Sequence, residues 1–353
     1  MKIVVLAGGL SPERAVSLVT GTSVCRALRE NGHQAILVDL FLGLEEVPED
    51  LNTLFEAEDG LCPDAKIEIV EPDLDAIRAM RSDKSDCRFG PNVLNLCALA
   101  DIVFLGLHGQ DGEDGRVQAT LDLLGIKYTG GGYLASALAM DKSMTKRMMD
   151  SAGIPNAPWK DIPFYTEEDI PALMEELEVP CAVKVVNGGS SLGVALPDTR
   201  EELEQALRDM LRYGSHIIVE KKIVGCREFT IGILGDRALP AVEILPAVKD
   251  FDYAAKYQAG GARELCPAPI TAQQQEEMGK FALKLHRALG LEVYSRTDFL
   301  LDEEGKFWCL EVNSLPGMTS ASLVPKEAAA IGMTYHELCE EIVQLSYRIK
   351  RRG

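Results

Sequence analysis

The sequence predicts an α/β fold that begins with a parallel β-α-β unit, and three observations support this prediction. An apolar strand at 3–6 runs into a Gly8-Gly9 turn, a helix follows over about 15–30, and a second apolar strand occupies 35–38. The helix ends at Asn31-Gly32, a typical C-terminal cap. Because adjacent parallel strands need such a crossover, we expect a Rossmann-like N-terminal domain.

The same alternation of strands and helices continues along the chain. Apolar runs predict buried strands at 102–107, 181–186, 217–220 and 228–234. Periodic apolar positions predict helices over 118–124, 140–152, 201–213 and 273–289, and a last helix with a capping box from Thr334 to Glu337. The proline-rich segment 154–158 is typical of a hinge, 250–265 is predicted to be a long loop, and 43–91 carries no clear pattern.

Composition favours a soluble cytoplasmic enzyme of two or three domains. The 353 residues carry a formal net charge of −19, which disfavours a nucleic-acid partner because phosphate backbones are bound by clustered Lys and Arg. No apolar run has the length of a membrane span, and the N-terminus lacks a signal-peptide cleavage pattern. Nine cysteines without a C-x-x-C spacing favour reduced thiols over disulfides or a zinc site. We therefore expect neither a nucleic-acid nor a membrane partner.

The most informative stretch is the strand that begins at residue 307. A period of two places four residues on one face, namely Phe307, Cys309, Glu311 and Asn313. The other face carries the apolar residues Trp308, Leu310 and Val312. A carboxylate and an amide two positions apart can reach one hard cation.

A predicted hairpin brings a third oxygen ligand to this strand. Residues 302–305 have turn composition, and Arg296 and Asp298 share a face upstream of the turn. Asp298 would then lie beside Glu311 and Asn313, with an arginine nearby, which describes a magnesium–phosphate site. The pattern alone is equally compatible with a pair of edge strands that present a solvated charged face.

Phosphate chemistry is also indicated around Lys184. A lysine in an apolar strand is costly unless it meets an anion, and the glycine-serine loop at 188–193 follows it directly. Backbone N–H groups of such a loop could cradle phosphate, although an ordinary flexible hairpin loop has the same composition. The loop is neither a Walker motif nor a dinucleotide fingerprint.

Two other segments could contact a nucleotide. Glu220 and Glu228 flank a strand connection, where one could hold an adenosine ribose or both could simply keep edge strands soluble. Lys256 and Tyr257 could close the long loop over a ligand. The alternative is an exposed aromatic loop, which is less common without a partner.

Together and in this order, these segments resemble the ATP-grasp enzymes and, within them, the D-alanine–D-alanine ligases. The resemblance covers nearly the whole chain apart from about 43–92. It is carried by GGLSPERAVS at 8–17, LHGQDGEDG at 107–115, YTGGGYLASALAMDK at 128–142, KVVNGGSSLGV at 184–194, GCREFT at 225–230, DYAAKY at 252–257, SRTDF at 295–299 and EVNSLPGMTSASLVP at 311–325.

The resemblance implies a three-domain ATP-grasp fold. The expected domains are the Rossmann-like residues 1–107, a central domain at 108–182 and a C-terminal domain at 183–353, with the ATP-grasp module at about 146–346. It also implies that the carboxylate of one D-alanine attacks the γ-phosphate of ATP, and that the amine of a second D-alanine displaces phosphate from the acyl phosphate. The dipeptide would serve peptidoglycan synthesis.

The resemblance assigns roles residue by residue. Two Mg²⁺ (or Mn²⁺) ions would be held by Asp298, Glu311 and Asn313. ATP would be bound by Lys142, Lys184, Glu220, Lys221, Ile223, Glu228 and Lys256. The amino acids would be bound by Glu13, His108, Arg296, Gly317, Ser322 and Leu323. Catalysis would depend on a hydrogen-bonded link of Glu13, Ser190 and Tyr257, and on oxyanion stabilisation by Arg296 and the Gly317 N–H, with Ser322 at the second substrate.

Some positions depart from the family pattern or bear on specificity. Val185 stands where many members have proline, and Ala321 where histidine is common, which leaves the polarity of the second subsite open. Tyr257 is the residue of dipeptide-forming members, which favours D-alanine over D-lactate as second substrate.

We expect a cytoplasmic homodimer.

Other functions stay open at this point. D-serine as the second substrate, or another ATP-grasp carboxylate–amine ligase, is the main alternative. A non-catalytic nucleotide-binding regulator would need a broken metal triad, which is intact here. A nicotinamide dehydrogenase is opposed by the missing fingerprint.

Overall fold

The computed structural model describes residues 1–63, 72–188, 193–246 and 262–351. Its strands are β1 (Lys2–Ala7), β2 (Gln34–Asp39), β3 (Ile102–Leu105), β4 (Trp159–Ile162), β5 (Cys181–Val185), β6 (Val194–Ala195), β7 (Ile217–Lys221), β8 (Arg227–Leu234), β9 (Arg237–Ala238), β10 (Val242–Pro246), β11 (Ala262–Leu265), β12 (Tyr294–Leu301) and β13 (Phe307–Asn313). Its helices are α1 (Arg14–Glu30), α2 (Leu74–Met80), α3 (Val93–Leu99), α4 (Arg116–Leu123), α5 (Tyr133–Met140), α6 (Lys142–Ser151), α7 (Ile170–Glu176), α8 (Arg200–Met210), α9 (Ala272–Ala288), α10 (Leu323–Ala330) and α11 (Tyr335–Arg348), with 3-10 turns at Leu51–Glu56 and Glu167–Asp169. Within the described ranges, no helix is both long enough and apolar enough to cross a bilayer.

The N-terminal sheet is parallel, with strand order β2-β1-β3. β1 pairs with β2 along its full length, and α1 forms the crossover between them. This confirms the predicted β-α-β unit, whose strands are completely apolar at their centres because both faces are covered. The third strand is shorter than predicted, since it ends at Leu105.

The last helix closes the core of this first sheet. Leu338 and Ile342 of α11 are fully buried in one hydrophobic cluster with Ile3 of β1 and Leu28 of α1. Tyr294, at the start of β12, belongs to the same cluster. The predicted capping box is present, because Thr334 and Glu337 each accept a hydrogen bond from the other's backbone N–H. The two ends of the chain therefore share one core.

The second sheet is antiparallel, with strand order β4-β7-β5-β6. Its apolar face packs on α7 and α8 and includes Val183 and Val185 of β5. Lys184 lies between these valines and therefore points to the opposite face, as the strand pattern predicts. The 154–158 segment leads directly into β4, a strand that was too short and too polar to be recognised in the sequence.

The third sheet has the order β11-β10-β8-β12-β13, with β9 attached to β8. Its core face packs on α9 and contains Phe229, Phe299 and Phe307. The prediction of a loop through 265 is wrong at its end, because residues 262–265 form β11 and pair with β10. This strand forms by pairing with β10, the described strand before it, which the composition of 262–265 alone does not reveal.

A single helix was expected over 140–152, but the structure has two helices in this region. α5 ends at Met140, and α6 begins with Asp141 as its N-cap, whose carboxylate accepts the Met144 N–H at 2.8 Å. Asp141 also forms an isolated β-bridge with Asn187, two residues after the end of β5. The break fixes the start of α6, and with it Lys142, beside the second sheet.

Close packing of α1 on its sheet depends on Gly21. A Cβ at this position would lie 2.5 Å from Ala7 Cβ and 2.7 Å from Leu37 Cδ1. Gly21→Ala gains about 1 kcal/mol of helix propensity but forces α1 away from the sheet, so we expect a net loss of about 1–3 kcal/mol in the free energy of unfolding. Denaturant titration measures this loss.

The matched control is Gly279→Ala in α9. There the nearest heavy atom to the added Cβ is Ala238 Cβ at 3.0 Å, so a smaller change is expected. Equal stability of Gly21→Ala and the unmodified protein would show that the packing of α1 on the sheet can accommodate a methyl group at position 21.

Candidate active site

The β12–β13 hairpin sets the centre of the site. Asp298 lies directly opposite Glu311, and Arg296 lies opposite Asn313. The predicted turn is present, with the Gly305 N–H bonded to the Asp302 carbonyl at 3.0 Å. One face of the hairpin therefore presents two carboxylates, an amide and a guanidinium.

The predicted division of β13 into two faces is wrong at one point. Phe299 pairs with Cys309 while Asp298 pairs with Glu311, so β13 contains one extra residue, a β-bulge at Leu310. Phe307, Cys309 and Val312 consequently share the buried core, whereas Glu311 and Asn313 face the other way. A bulge shifts the period-two alternation by one, which is why Phe307 and Cys309 do not share the face of Glu311.

Asp298 is held in place by hydrogen bonds from other protein side chains. Its Oδ1 accepts hydrogen bonds from Thr230 Oγ1 at 2.5 Å and from Arg296 Nε at 3.1 Å. Its Oδ2 accepts from Arg296 Nη2 at 3.1 Å and, weakly, from Asn313 Nδ2 at 3.5 Å. Burial alone would lower the pKa of Arg296, but the Asp298 carboxylate raises it above its usual range, so the guanidinium is a permanent cation.

Two lysines approach the hairpin from other elements. Lys142 Nζ, at the start of α6, lies 3.7 Å from Glu311 Oε2 and donates a hydrogen bond to the Gly188 carbonyl. Lys184 Nζ lies 3.1 Å from Glu220 Oε2. Lys142 therefore lies beside Gly188, the last described residue after β5, and Lys184 lies within β5 itself.

Sequence reasoning missed a third lysine, Lys146. It is 1% exposed and forms a 3.1 Å ion pair with Glu220 Oε1, so that Glu220 is shared between Lys146 and Lys184. Burial would raise the pKa of Glu220, but the two ammonium groups hold it below its usual range; burial lowers the pKa of Lys146. The signal in the sequence was the four-residue spacing from Lys142, which places both lysines on one face of α6.

The remaining nucleotide-side residues follow each other around the β7–β8 connection. Lys221 ends β7 and is exposed, Ile223 is half-buried in the connection, and Glu228 is half-buried near the start of β8. Glu220 differs from them because it is 2% exposed and fully engaged with lysines. Its contact with ATP stays a prediction, since its carboxylate is already paired with Lys146 and Lys184.

The N-terminal sheet contributes an acidic group. Glu13 precedes α1, and its Oε2 lies so close to Gly109 that a side chain at 109 would meet it at 2.7 Å. His108 is buried, with Nε2 3.0 Å from Thr20 Oγ1 and Nδ1 3.7 Å from Glu113 Oε1. Burial raises the pKa of Glu113, and the nearby Glu13 raises it further.

Glu113, in the 107–115 motif, also lies at the site, although the sequence does not predict a role for it. It lines a cavity together with Lys142, Glu311 and Asn313. The acidic pair of Glu13 and Glu113 therefore stands on the side of the hairpin that faces the N-terminal sheet. Two such carboxylates favour a cationic group beside them.

The segment after β13 brings the other predicted substrate residues together. Ser322 is the N-cap of α10, and its Oγ accepts the Thr319 N–H at 3.0 Å. A Cβ on Gly317 would meet Ser322 Oγ at 3.0 Å, so these two residues are neighbours, and Leu323 starts the helix. Ser190, Lys256 and Tyr257 lie outside the described residues.

Comparison with known proteins identifies the family. A family model described as the D-ala D-ala ligase N-terminus matches residues 2–131, and one described as the D-ala D-ala ligase C-terminus matches 148–344. The chain belongs to the D-alanine–D-alanine ligase family. Its fold is accordingly the ATP-grasp fold predicted from the motifs.

Individual relatives of this D-alanine–D-alanine ligase family member match almost from end to end. The chain is 41% identical over 345 residues to a D-alanine–D-alanine ligase of Pediococcus pentosaceus, with 97% of both chains covered. It is also 41% identical to one of Lacticaseibacillus casei, covering 100% of this chain and 98% of the relative. Among solved structures, D-alanine–D-alanine ligase from Bacillus anthracis complexed with ATP aligns with a TM-score of 0.74, 28% identity and coverage of 99% and 98%.

The two ion pairs of Glu220, with Lys146 and Lys184, yield a stability prediction. Lys146→Met removes one of the two cations that balance Glu220, so we expect a loss of about 1–3 kcal/mol in the free energy of unfolding. The control Lys160→Met removes an exposed lysine from β4, whose side chain is 53% exposed, and should change stability by less than about 0.5 kcal/mol. Thermal unfolding of both variants measures the difference. A Lys146→Met protein as stable as the unmodified one would mean that Glu220 does not need the second cation.

Proposed function

We propose that this protein ligates two D-alanine molecules to D-alanyl-D-alanine at the expense of ATP, releasing ADP and phosphate for peptidoglycan synthesis. The observation that carries the proposal is the Asp298–Glu311–Asn313 face with Lys142 beside it, in a chain that belongs to the ligase family. Paired carboxylates and lysines suit a reaction in which phosphate charge must be balanced. The protein itself takes little part in bond formation, so its main contribution to catalysis would be to position the substrates.

The oxygen ligands fit a hard divalent cation. Asp298 and Glu311 are carboxylates on opposed strands, and the Asn313 amide can turn its oxygen inward because its present donor contact to Asp298 is weak at 3.5 Å. The described His, Cys, Asp and Glu side chains form no group of three that could hold a metal, so the proposed set takes its third ligand from the Asn313 amide oxygen. We propose that these residues hold two Mg²⁺ or Mn²⁺ ions, which would neutralise phosphate charge when bound.

The proposed roles of the cations follow from where they stand. Lys142 and Lys184 would bind the ATP phosphates at the end of the second sheet, and Lys256 would reach the γ-phosphate. Lys221, Ile223 and Glu228 would contact adenosine around the β7–β8 connection. Since Lys184 is already paired with Glu220, it would be held in place before ATP arrives. Such preorganisation lowers the cost of ordering a long side chain on binding.

The first D-alanine would be oriented by opposite charges. Glu13 would pair with its ammonium, and His108 would line the same subsite. Its carboxylate oxygen would attack the γ-phosphate, which forms the acyl phosphate and releases ADP. Ser190 and Tyr257 would link Glu13 to the loops that cover the site. With ammonium and carboxylate both fixed, the methyl group fits in one hand only.

The second D-alanine would bind at the start of α10. Ser322 and Leu323 would contact its carboxylate, and its amine would attack the acyl carbon. The tetrahedral oxyanion would be stabilised by Arg296 and the Gly317 N–H, after which phosphate leaves. Arg296 can serve this role because Asp298 holds its guanidinium by two hydrogen bonds.

The organisation of the molecule is proposed on the same grounds. We propose domains at 1–107, 108–182 and 183–353, an ATP-grasp module at about 146–346, a homodimeric assembly and a cytoplasmic location. Of the three sheets, the first lies within 1–107, whereas the second has strands on both sides of the boundary at 182/183, which falls inside β5. The nine cysteines, all free, suit a reducing compartment.

Product analysis tests the activity. Purified protein with ATP, Mg²⁺ and D-alanine should yield D-alanyl-D-alanine with one ADP and one phosphate, because the acyl phosphate carries the γ-phosphate. L-alanine should give no product. Chromatography of the nucleotides and the dipeptide measures both. AMP in place of ADP, or a dipeptide from L-alanine, would rule out the proposed reaction.

Substitution on the hairpin tests the metal ligands. Glu311→Gln removes one anionic ligand without changing size, so we expect turnover to fall by about 100-fold or more while the melting temperature stays close to that of the unmodified protein. Glu303→Gln, an exposed residue in the turn of the same hairpin, is the control and should keep full turnover. Phosphate release with and without EDTA completes the test. Normal turnover in EDTA would show that no metal is needed.

A further inference from the structure

Glu327 is a buried carboxyl that the proposed reaction does not use. It lies in the second turn of α10, is 0% exposed, and its Oε1 accepts the backbone N–H of Gly232 in β8 at 3.0 Å. Its Oε2 has no hydrogen-bond partner among the described residues. Burying a carboxyl with so few partners costs free energy, so its position calls for a physical reason.

The neighbouring strand explains where this carboxyl points. Gly232 pairs directly with Arg296 across β8 and β12, so both residues face the same side of the sheet. Gly232 has no side chain, and a Cβ placed there would overlap Glu327 Oε2. Glu327 therefore fills the place of a side chain at 232, beside the stem of Arg296. Thr230, which bonds to Asp298, is two residues away on the same face of β8.

The same helix begins at the second-substrate residues. Ser322 caps α10 and Leu323 is its first residue, so Glu327 lies about one turn along from both. Val324 and Ala328 attach α10 to the hydrophobic core, and Lys326 pairs with Glu264 of β11. Glu327 is the polar anchor that joins α10 to β8, the strand next to Arg296.

We propose that Glu327 is a positioning residue that holds the start of α10, with Ser322 and Leu323, in register with Arg296. The inference rests on the proposed function, since it concerns how the amine of the second D-alanine meets the acyl phosphate. With this anchor the two substrates would react efficiently. Without it, the acyl phosphate would form normally but would be lost to water more often before the amine arrives.

A glutamine should replace Glu327 well. Its carbonyl oxygen can still accept the Gly232 N–H, and its size is the same. Burial raises the pKa of Glu327 to about 8, with Arg296 opposing and Asp298 reinforcing the shift, so a neutral side chain resembles the form that the site favours. Alanine removes the anchor and leaves space over Gly232.

The kinetic test compares three variants of the full-length enzyme. In Glu327→Ala, we expect dipeptide formed per phosphate released to fall from one to below about one half, and KM for the second D-alanine to rise about tenfold, while KM for ATP changes less than about twofold. Glu327→Gln should restore both values. Ala329→Ser, on the exposed face of the same helix, should match the unmodified enzyme. Stoichiometric coupling in Glu327→Ala, or equal loss in both Glu327 variants, would overturn the proposal.

A second measurement is independent of activity. Gly232→Ala should lower the melting temperature of the unmodified protein, because the added methyl overlaps Glu327 Oε2, and should lower it much less in the Glu327→Ala background, where Leu239 Cδ1 at 3.2 Å is the close neighbour that remains. An equal effect of Gly232→Ala in both backgrounds would mean that Glu327 does not occupy this position. If the unmodified protein makes no dipeptide, the proposed function fails, and this double-mutant cycle still decides whether Glu327 anchors α10 to β8.

Discussion

The arrangement of the site depends on one extra residue in β13, the β-bulge at Leu310. Up to Cys309 the strand buries its alternate side chains in the core of the third sheet, and beyond Leu310 the alternation is shifted. Val312 then takes the core position that a regular strand would give to Glu311. The core stays apolar and continuous, while Glu311 and Asn313 join Asp298 and Arg296 on the opposite face. Without the bulge, a carboxylate would lie among phenylalanines at a cost of several kcal/mol.

Charge compensation is the second constraint on this site. Charged side chains in a partly buried place are costly unless an opposite charge lies beside them. The structure meets this requirement by pairing: Asp298 with Arg296, Glu311 with Lys142, and Glu220 with both Lys146 and Lys184. Each lysine or arginine is thus held in place by an opposite charge.

Local signals in the sequence were sufficient for much of the fold. The β-α-β start, the hairpin turn at 302–305 and the cap at Thr334 depend on residues close together in the chain, and all are present. The eight motifs identified the family because their order is far more specific than any one of them. Lys184 was recognised because a lysine in an apolar strand is unusual at the level of sequence.

Features that depend on pairing or packing with another element could not be read in the same way. The bulge at Leu310 is visible only through pairing with β12, and β11 only through pairing with β10. Lys146 looks like an ordinary helix lysine until α6 is packed against β7 and Glu220. The role proposed for Glu327 depends on its hydrogen bond with Gly232, almost a hundred residues earlier. The sequence does not reveal this contact, because a glycine in a strand has several possible explanations.

The location of the metal is the central claim, and anomalous diffraction tests it most directly. Crystals grown with ATP and Mn²⁺ and measured near the manganese edge should show peaks within about 2.5 Å of the Asp298 and Glu311 carboxylate oxygens and of the Asn313 amide oxygen. Peaks placed elsewhere, such as beside Glu13 and Glu113, or no peak at the hairpin with ATP bound, would contradict the assignment.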